Sequence, residues 1–397
     1  MKTFTLILVC LRAFIPMSAQ AECWSRIWSE ASTQTIGKVD FVNDQLGWAV
    51  RSSGLGSGTV LRTTDGGVTW TVQFTCNYGL ANLDFVDANH GWLVGYYSIF
   101  RTSDGGYTWI RTNADHSTMT GVFFADVNNG WVVGDDLNGG NSPIWHTTDG
   151  SVSWMPQSSG TIYGLQEVAF ADLNNGAAVG LVGTILGTTN GGSTWSPRTS
   201  GTTYSLNGVC FSQGFGFAVG VHGTILGTFD SGNSWSAALT VGTTASFYDV
   251  SVAGANAWAV GDSSLILGTT SAGFVWTRDF FSLSLYPLLL GVASAGDEAW
   301  AVGYNSSGQN LVFHNRCDAP QDVTIHYLSG HPPFEMHFIY LNWNPVTTPG
   351  AVSYNVYCDS VVTGLFLNLV GSTSDTSFGI FGGGLDRQFY IVKTETP

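Results

Sequence analysis

The stretch Leu83–Trp109 (LDFVDANHGWLVGYYSIFRTSDGGYTW) decides the fold of this chain. It holds an apolar segment that ends at Val86, a polar turn, the apolar segment Gly91–Val94, and a third segment that runs into Asp104-Gly105-Gly106. Asp and Gly are typical of a tight turn, because the Asp side chain bonds nearby backbone N–H groups and Gly tolerates a positive φ. A last segment begins near Trp109, so the stretch predicts four short β-strands in succession.

Both parts of this stretch recur along the chain. The first phrase, of the form Gly-Trp-Ala-Val, has seven copies spaced 39 to 46 residues apart: Gly47–Val50, Gly91–Val94, Gly130–Val133, Gly176–Val179, Gly216–Val219, Ala257–Val260 and Ala299–Val302. The second, Thr-x-Asp-Gly-Gly-x-Thr-Trp, has six copies, the later ones with substitutions: Thr63–Trp70, Thr102–Trp109, Thr147–Trp154, Thr188–Trp195, Thr228–Trp235 and Thr269–Trp276. A period of about 40 residues with four strands per unit is typical of a β-propeller. The sequence therefore predicts an all-β chain with a seven-bladed propeller.

Composition agrees with this fold and excludes several classes of partner. Charged residues make up only 10% of the 397 residues, yet 44% are hydrophobic, with 51 Gly and 15 Trp, so the chain lacks the composition of a disordered protein. The net charge of −15 argues against nucleic acid and against anionic membrane surfaces, both of which attract clusters of Lys and Arg. Protein and carbohydrate partners are the classes that remain.

Residues 1–21 predict a signal peptide. Lys2 precedes the apolar run Phe4–Leu11, and the small residues of Ala19-Gln20-Ala21 form a cleavage site. We therefore expect a secreted, periplasmic or cell-surface protein. No later stretch approaches the roughly 20 apolar residues of a membrane span, so no membrane insertion is expected.

The seventh repeat lacks the second phrase. Residues 22–30, at the opposite end of the mature chain, read as an isolated outer strand, and we expect this strand to complete the last blade of a propeller spanning residues 22–317. Cys23 and Cys317 then lie at the two ends that are joined and form a candidate disulfide. Alternatively, Cys23 pairs with Cys76 or stays free, since the five cysteines that follow the signal peptide cannot all pair.

The second phrase resembles the Asp-box of BNR-repeat propellers, which occur in sialidases, other glycosidases and sorting receptors. The whole unit, with Gly-Trp-Ala-Val-Gly ahead of the Asp-box, is most similar to propellers of the photosystem II stability and assembly-factor type. This resemblance covers roughly residues 36–315 and implies the propeller fold. For function it implies a role in assembly, as in the photosynthetic members, or glycoside hydrolysis, as in the glycosidases.

Residues 318–397 resemble a fibronectin type III module, which implies a small β-sandwich after the propeller. The resemblance is carried by Leu341–Val346, Val352–Tyr357 and Phe389–Val392. The chain ends at Pro397, where that family continues into a final strand. The module is therefore expected to be truncated or to borrow a strand.

The aspartates of the Asp-boxes are interpreted as turn residues rather than catalytic residues. They occupy equivalent turns a whole blade apart, so no two of them can converge on one substrate. Asn190 and Ser271 replace Asp at the same position, which fits a turn. The eight histidines are scattered without partners at metal-ligand spacing, so we predict no metal site, no cofactor and no catalytic constellation.

The candidate binding site is the central mouth of the propeller. Aligning the first strands of the seven repeats places these residues at one equivalent position: Lys38, Asn82, Gly121, Glu167, Gly208, Asp249 and Gly291. Lys38, Asn82, Glu167 and Asp249 are the candidate binding residues, and the alternative is a water-filled channel. We expect an exported, non-enzymatic binding or assembly scaffold that engages a protein or glycan. The alternative function is that of a glycosidase of the Asp-box class.

Overall fold

The computed structural model describes residues 24–54, 56–112, 118–136, 139–238, 242–269, 275–279 and 287–315, together with the backbone of six strands between residues 324 and 395. Strands dominate these residues, and two single turns of 3-10 helix, Leu181–Gly183 and Asp262–Ser264, interrupt them. No helix in the described part of the chain is long and apolar enough to cross a membrane. Ser25–Asn315 form one compact unit.

The strands of this unit follow one another in groups of four. Their bounds are β1 Trp24–Ala31, β2 Thr35–Phe41, β3 Gly47–Ser52, β4 Gly58–Thr63, β5 Thr71–Cys76, β6 Leu80–Phe85, β7 Gly91–Gly95, β8 Ser98–Thr102, β9 Ile110–Thr112, β10 Thr118–Phe124, β11 Gly130–Asp135, β12 Ile144–Thr147, β13 Met155–Gln157, β14 Leu165–Phe170, β15 Gly176–Gly180, β16 Ile185–Thr188, β17 Ser196–Pro197, β18 Leu206–Ser212, β19 Phe215–Gly220, β20 Ile225–Thr228, β21 Ser236–Ala237, β22 Phe247–Ala253, β23 Asn256–Gly261, β24 Ile266–Thr269, β25 Thr277–Asp279, β26 Leu288–Ala295, β27 Glu298–Tyr304 and β28 Gln309–Asn315.

The architecture is a seven-bladed β-propeller. Blades 1 to 6 are the antiparallel sheets β2–β5, β6–β9, β10–β13, β14–β17, β18–β21 and β22–β25, and blade 7 has the order β1-β28-β27-β26. The first strands of neighbouring blades contact one another at all seven junctions, including the junction between β26 and β2. These first strands therefore surround the centre of the ring, and the fourth strands form its outer edge.

The N-terminal strand β1 occupies the outer position that the missing second phrase leaves in blade 7. Ile27 and Trp28 on this strand pack half-buried against the core at the junction of blades 7 and 1. Glu30 forms an ion pair with Arg51 of blade 1. Asn310 of blade 7 accepts a hydrogen bond from the Ile36 backbone N–H at 2.9 Å. The two ends of the ring are thus joined by strand pairing, packing and polar contacts.

Stacked aromatic rings join neighbouring blades. The Trp of the first phrase lies flat against a Phe from the first strand of the next blade, with ring centroids 3.5 to 3.8 Å apart, in the pairs Trp300–Phe41, Trp48–Phe85, Trp92–Phe124 and Trp131–Phe170. The Trp of the Asp-box then meets the same Phe edge-on, as Trp70 meets Phe41 at 6.0 Å. The stacked pairs bury large apolar surfaces, and the edge-to-face contacts add to the free energy of burying the rings.

The Asp-box turn is the second connection between blades. Trp48, Trp131 and Trp300 donate their indole N–H to a glycine carbonyl in the Asp-box of the following blade, at 3.0, 3.2 and 2.8 Å. At these three junctions the two phrases that recur in the sequence are therefore the two partners of one contact.

Six further strands lie outside this unit, in two three-stranded sheets. The first sheet has the order Thr324–Ser329, Met336–Asn342, Ser377–Gly383, and the second has the order Asn368–Thr373, Ser353–Asp359, Phe389–Glu395. The predicted signal peptide and the candidate disulfide partners Cys23 and Cys317 lie outside the described residues. Among the described residues, Cys76 and Cys210 are free thiols.

Candidate functional site in the central channel

A β-bulge defines the same position in the first strand of every blade. The strand register shifts just before it, and the residue after the bulge pairs with the last Val of the first phrase. These pairs are Lys38–Val50, Asn82–Val94, Gly121–Val133, Glu167–Val179, Gly208–Val219, Asp249–Val260 and Gly291–Val302. A bulge re-aims the side chain that follows it. The seven residues aligned from the sequence are therefore structurally equivalent, and we call them the channel ring.

Four side chains of the channel ring meet. The Lys38 Nζ donates hydrogen bonds to Glu167 Oε2 at 3.1 Å and to Asp249 Oδ1 at 2.8 Å. The Asn82 Nδ2 donates to Glu167 Oε2 at 2.7 Å. These residues come from blades 1, 2, 4 and 6, so the contacts cross the channel. All four residues proposed for the central mouth belong to one cluster.

The three glycines of the channel ring make room for this cluster. Each glycine precedes a charged residue in the order of the blades. A Cβ on Gly121 would lie 2.8 Å from the Cα of Glu167, and one on Gly291 would lie 2.9 Å from the Cα of Lys38. At Gly208 the corresponding distance to the Cα of Asp249 is 3.2 Å. A larger residue at any of these positions would push the neighbouring charged strand aside.

Asp40 and Asp84 form a second layer that the sequence analysis missed. Each lies two residues after a channel-ring residue, on the same face of its strand. Asp40 accepts a hydrogen bond from the Phe85 N–H at 2.7 Å, and Asp84 accepts one from the Phe124 N–H at 2.6 Å. The period of two along β2 and β6 is the signal that would have found them. Together with Lys38, Asn82, Glu167 and Asp249 they line a cavity of about 310 Å³.

Burial dominates the electrostatics of this cavity. It raises the pKa of Asp40 to about 6. Burial, and then the charge of Asp40, raise the pKa of Asp84 well above its usual value. Burial also raises the pKa of Glu167, which Lys38 opposes. For Lys38, burial works against the charge, but Asp249 and Glu167 outweigh it and raise the pKa. One ammonium group that stays protonated thus faces four carboxyl groups.

The Asp-box carboxylates, in contrast, accept several hydrogen bonds from residues of their own turns. Asp104 accepts hydrogen bonds from the Thr108 N–H at 2.9 Å, the Thr108 hydroxyl at 2.6 Å and the Thr102 hydroxyl at 2.8 Å. In the next box, hydrogen bonds led by that of the Ser153 hydroxyl lower the pKa of Asp149 to about 2. This geometry agrees with the interpretation of these aspartates as turn residues.

We expect Asp104→Asn to leave the melting temperature nearly unchanged, whereas Asp104→Ala should lower the free energy of unfolding by about 1–2 kcal/mol. Asn190 shows why, because it accepts from the Thr194 N–H at 2.9 Å and donates to the Thr194 hydroxyl at 2.9 Å in the equivalent turn. Chemical denaturation of the two variants measures the difference. A destabilisation by Asn as large as that by Ala would contradict the turn role.

The repeat region matches the family model described as Photosynthesis system II assembly factor YCF48 over residues 71–159 and 206–297. A solved structure of YCF48 bound to D1 peptide aligns with a TM-score of 0.58 and 19% identity, over 73% of this chain and 94% of that one. YCF48 from Cyanidioschyzon merolae aligns with a TM-score of 0.57 and 18% identity, over 74% and 98%. The repeat region is thus similar to propellers of the photosystem II assembly-factor type.

The GH74 enzyme of Niastella koreensis also aligns, with a TM-score of 0.58 and 12% identity, over 81% of this chain and 60% of the enzyme. At these identities the likeness concerns the fold alone. No curated protein matches the sequence.

Proposed function

We propose that this chain is an exported, non-enzymatic assembly scaffold that binds a protein partner, and that its central channel receives a basic side chain of that partner. The observation that carries the proposal is the excess of carboxyl groups over ammonium groups in the channel. Among the described residues, no basic side chain pairs with Asp40 or Asp84, whereas Lys38 already pairs with both Glu167 and Asp249. A second cation would relieve the repulsion between Asp40 and Asp84.

The comparisons and the net charge support a protein partner of this kind. A similar propeller, YCF48, has been solved with D1 peptide bound to it. The formal charge of −15 attracts a basic partner over long distances, since complementary charges raise association rates.

A synthetic peptide with one lysine among Gly and Ser residues tests the proposal, with norleucine in place of lysine as the control peptide. We expect saturable binding of the lysine peptide only, measured by calorimetry. Asp40→Asn with Asp84→Asn should weaken it about tenfold, equivalent to about 1.4 kcal/mol. Asp65→Asn with Asp104→Asn, which also removes two carboxylates but in Asp-box turns, is the matched control. Equal binding of both peptides would contradict the proposal.

The raised pKa of Asp40 should make both peptide binding and folding stability depend on pH. Because burial raises this pKa to about 6, the carboxylate forms only as the pH rises through that value. We therefore expect affinity for the lysine peptide to increase between about pH 5 and pH 7. The same shift has the opposite effect on folding, since its contribution to stability is present below the unfolded pKa and is lost as the pH rises through 6. Asp40→Asn should flatten both slopes.

Glycoside hydrolysis is the second candidate. Glu167 and Asp249 both contact one Lys38 Nζ, at 3.1 and 2.8 Å, so the two contacting oxygens lie within about 6 Å of each other, a limit that allows the roughly 5–5.5 Å separation of a retaining glycosidase. The fold of the GH74 enzyme is compatible with this function. Lys38, however, lies between the two groups. A panel of glycosides and polysaccharides tests it: turnover abolished by Glu167→Gln or Asp249→Asn would replace the scaffold with an enzyme.

The proposal also includes a signal peptide that exports the protein and a second module after the propeller. The sequence pattern of residues 1–21 supports a cleaved signal peptide, and the phrases around Trp343 and Tyr354 support a fibronectin type III-like module in residues 318–397. N-terminal sequencing of the secreted protein tests the first point, and isolated expression of residues 318–397 tests the second.

A further inference from the structure

The junction between blades 1 and 2 shows how this chain fills the space beside an Asp-box. Trp48 donates its indole N–H to the Gly105 carbonyl at 3.0 Å. Arg62 donates to the Tyr107 hydroxyl at 3.1 Å, and its guanidinium carbon lies 5.1 Å from the centre of the Tyr107 ring. At this junction Arg62 thus donates to the tyrosine hydroxyl, and the Gly105 carbonyl accepts the tryptophan N–H.

The junction between blades 2 and 3 has the same tryptophan and arginine but lacks the tyrosine. Val152 occupies the position of Tyr107 in the Asp-box. Arg101 donates instead to the Gly150 carbonyl at 3.3 Å, the acceptor that the tryptophan uses at other junctions. The Trp92 indole N–H has no hydrogen-bond partner, although the residue is only 2% exposed. An unpaired buried donor is costly, so this junction is incomplete.

A cleft of about 260 Å³ lies at this junction, where the tyrosine is missing. Trp92, Arg101, Thr108, Ile110 and Asn128 are among the residues that line it. Its volume is just below the range of small-molecule pockets, so it accommodates one ring-sized group. Ile110 in its lining, and Val152 and Met155 shortly after the lining residues Asp149 and Gly150 in the chain, are each at least half exposed. Ser196 and Asn233 stand at the positions of Met155 and Val152 in blades 4 and 5.

We propose that this cleft receives a tyrosine side chain from the partner protein. The partner's ring takes the place that Tyr107 holds at the neighbouring junction, and its hydroxyl accepts the hydrogen bond of Arg101. The Gly150 carbonyl is then released to accept the Trp92 N–H, so binding repairs the unpaired donor. The exposed apolar residues around the cleft pack against the partner, as Tyr and Arg anchors with apolar surroundings do in protein interfaces.

Other ligands fit the same cleft less well. A carboxylate would meet Asp149, which lines the cleft and stays ionised because its turn hydrogen bonds hold its pKa low. A sugar ring offers hydroxyls, but the chain's own template at Arg62 is a phenol lying beside the guanidinium. A flat ring with one hydroxyl matches both features.

The test uses the full chain with nitrogen-15-labelled tryptophan and p-cresol, the side chain of tyrosine, as the probe. The indole N–H resonance of Trp92 is assigned from Trp92→Phe. We expect p-cresol to move this resonance saturably toward the position of the Trp48 resonance, with the Trp48, Trp131 and Trp300 resonances unmoved. Val152→Tyr, at an exposed position, should produce the same shift without the probe and weaken p-cresol binding at least about tenfold.

The reverse variant is the matched control within the chain. Tyr107→Val should open the equivalent cleft and make the Trp48 resonance respond to p-cresol. A Trp92 resonance that ignores p-cresol, or that moves with methyl glucoside or acetate in preference to it, would overturn the proposal. The inference rests on the proposed function only in taking the partner to be a protein. Asp40→Asn with Asp84→Asn should weaken peptide binding in the channel about tenfold and leave the p-cresol response intact, so the two ideas fail separately.

Discussion

Replacing Trp300 with alanine is expected to lower the free energy of unfolding by about 3–5 kcal/mol, the cost of removing a large aromatic side chain from a core. Trp300 is fully buried at the junction of blades 7 and 1. Its ring stacks on Phe41 at 3.8 Å, and its N–H donates to the Gly66 carbonyl at 2.8 Å. The variant therefore loses packing and a hydrogen bond at the point where the ring closes. Guanidinium denaturation and calorimetry measure it, and we expect the melting temperature to fall by roughly 10 °C.

Trp70→Ala is the control for this effect. Trp70 belongs to the Asp-box, is only partly buried and meets Phe41 edge-on. We expect it to cost less than half as much as Trp300→Ala, since less surface returns to water. Equal losses, or a Trp300 variant that melts like the native protein, would show that ring closure does not depend on this stack.

Deleting residues 25–31 is expected to destabilise the propeller by at least about 3 kcal/mol, through the lost packing of two large side chains, and to make it aggregate. The deletion removes most of β1 and exposes the hydrogen-bonding edge of β28. Ile27 and Trp28 leave the core at the blade 7–blade 1 junction, and Arg51 loses Glu30. Light scattering and thermal melting report both consequences.

A peptide of residues 22–34 added in trans provides the control. It should pair with the free edge of β28 and restore the melting temperature, whereas a scrambled peptide should not. A deletion variant that stays monomeric and melts at the native temperature would show that ring closure does not depend on β1.

Much of the fold could be predicted from the sequence, because short local patterns specify each blade and these patterns repeat along the chain. Each blade carries its own turn residues and its own apolar segments, so seven first phrases predict seven blades. The alignment of the first strands also found the channel ring, since the bulge before Lys38 and Asp249 falls at the same place relative to the first phrase. The missing seventh Asp-box indicated that the outer strand of blade 7 is supplied by the N-terminal segment.

The second carboxylate layer was missed for a physical reason. Asp40 has no special neighbour in sequence, and an aspartate in a strand reads as an ordinary polar residue on an exposed face. Only the ring turns that face toward a shared cavity, where burial changes the pKa of Asp40 and of Asp84. The unpaired N–H of Trp92 was equally invisible, because its usual acceptor belongs to the next blade and is taken by Arg101.

The sequence by itself determined the number of blades, the order of strands within each blade and the turns that join them. These features depend on interactions within about 40 residues, which a repeat period displays directly. The tertiary structure alone decided which charges meet. Lys38 contacts Glu167 and Asp249, which follow it by 129 and 211 residues, because seven twisted sheets close into a ring and bring their first strands around one channel. Convergence of this kind depends on the curvature of the whole ring, and no local pattern encodes it.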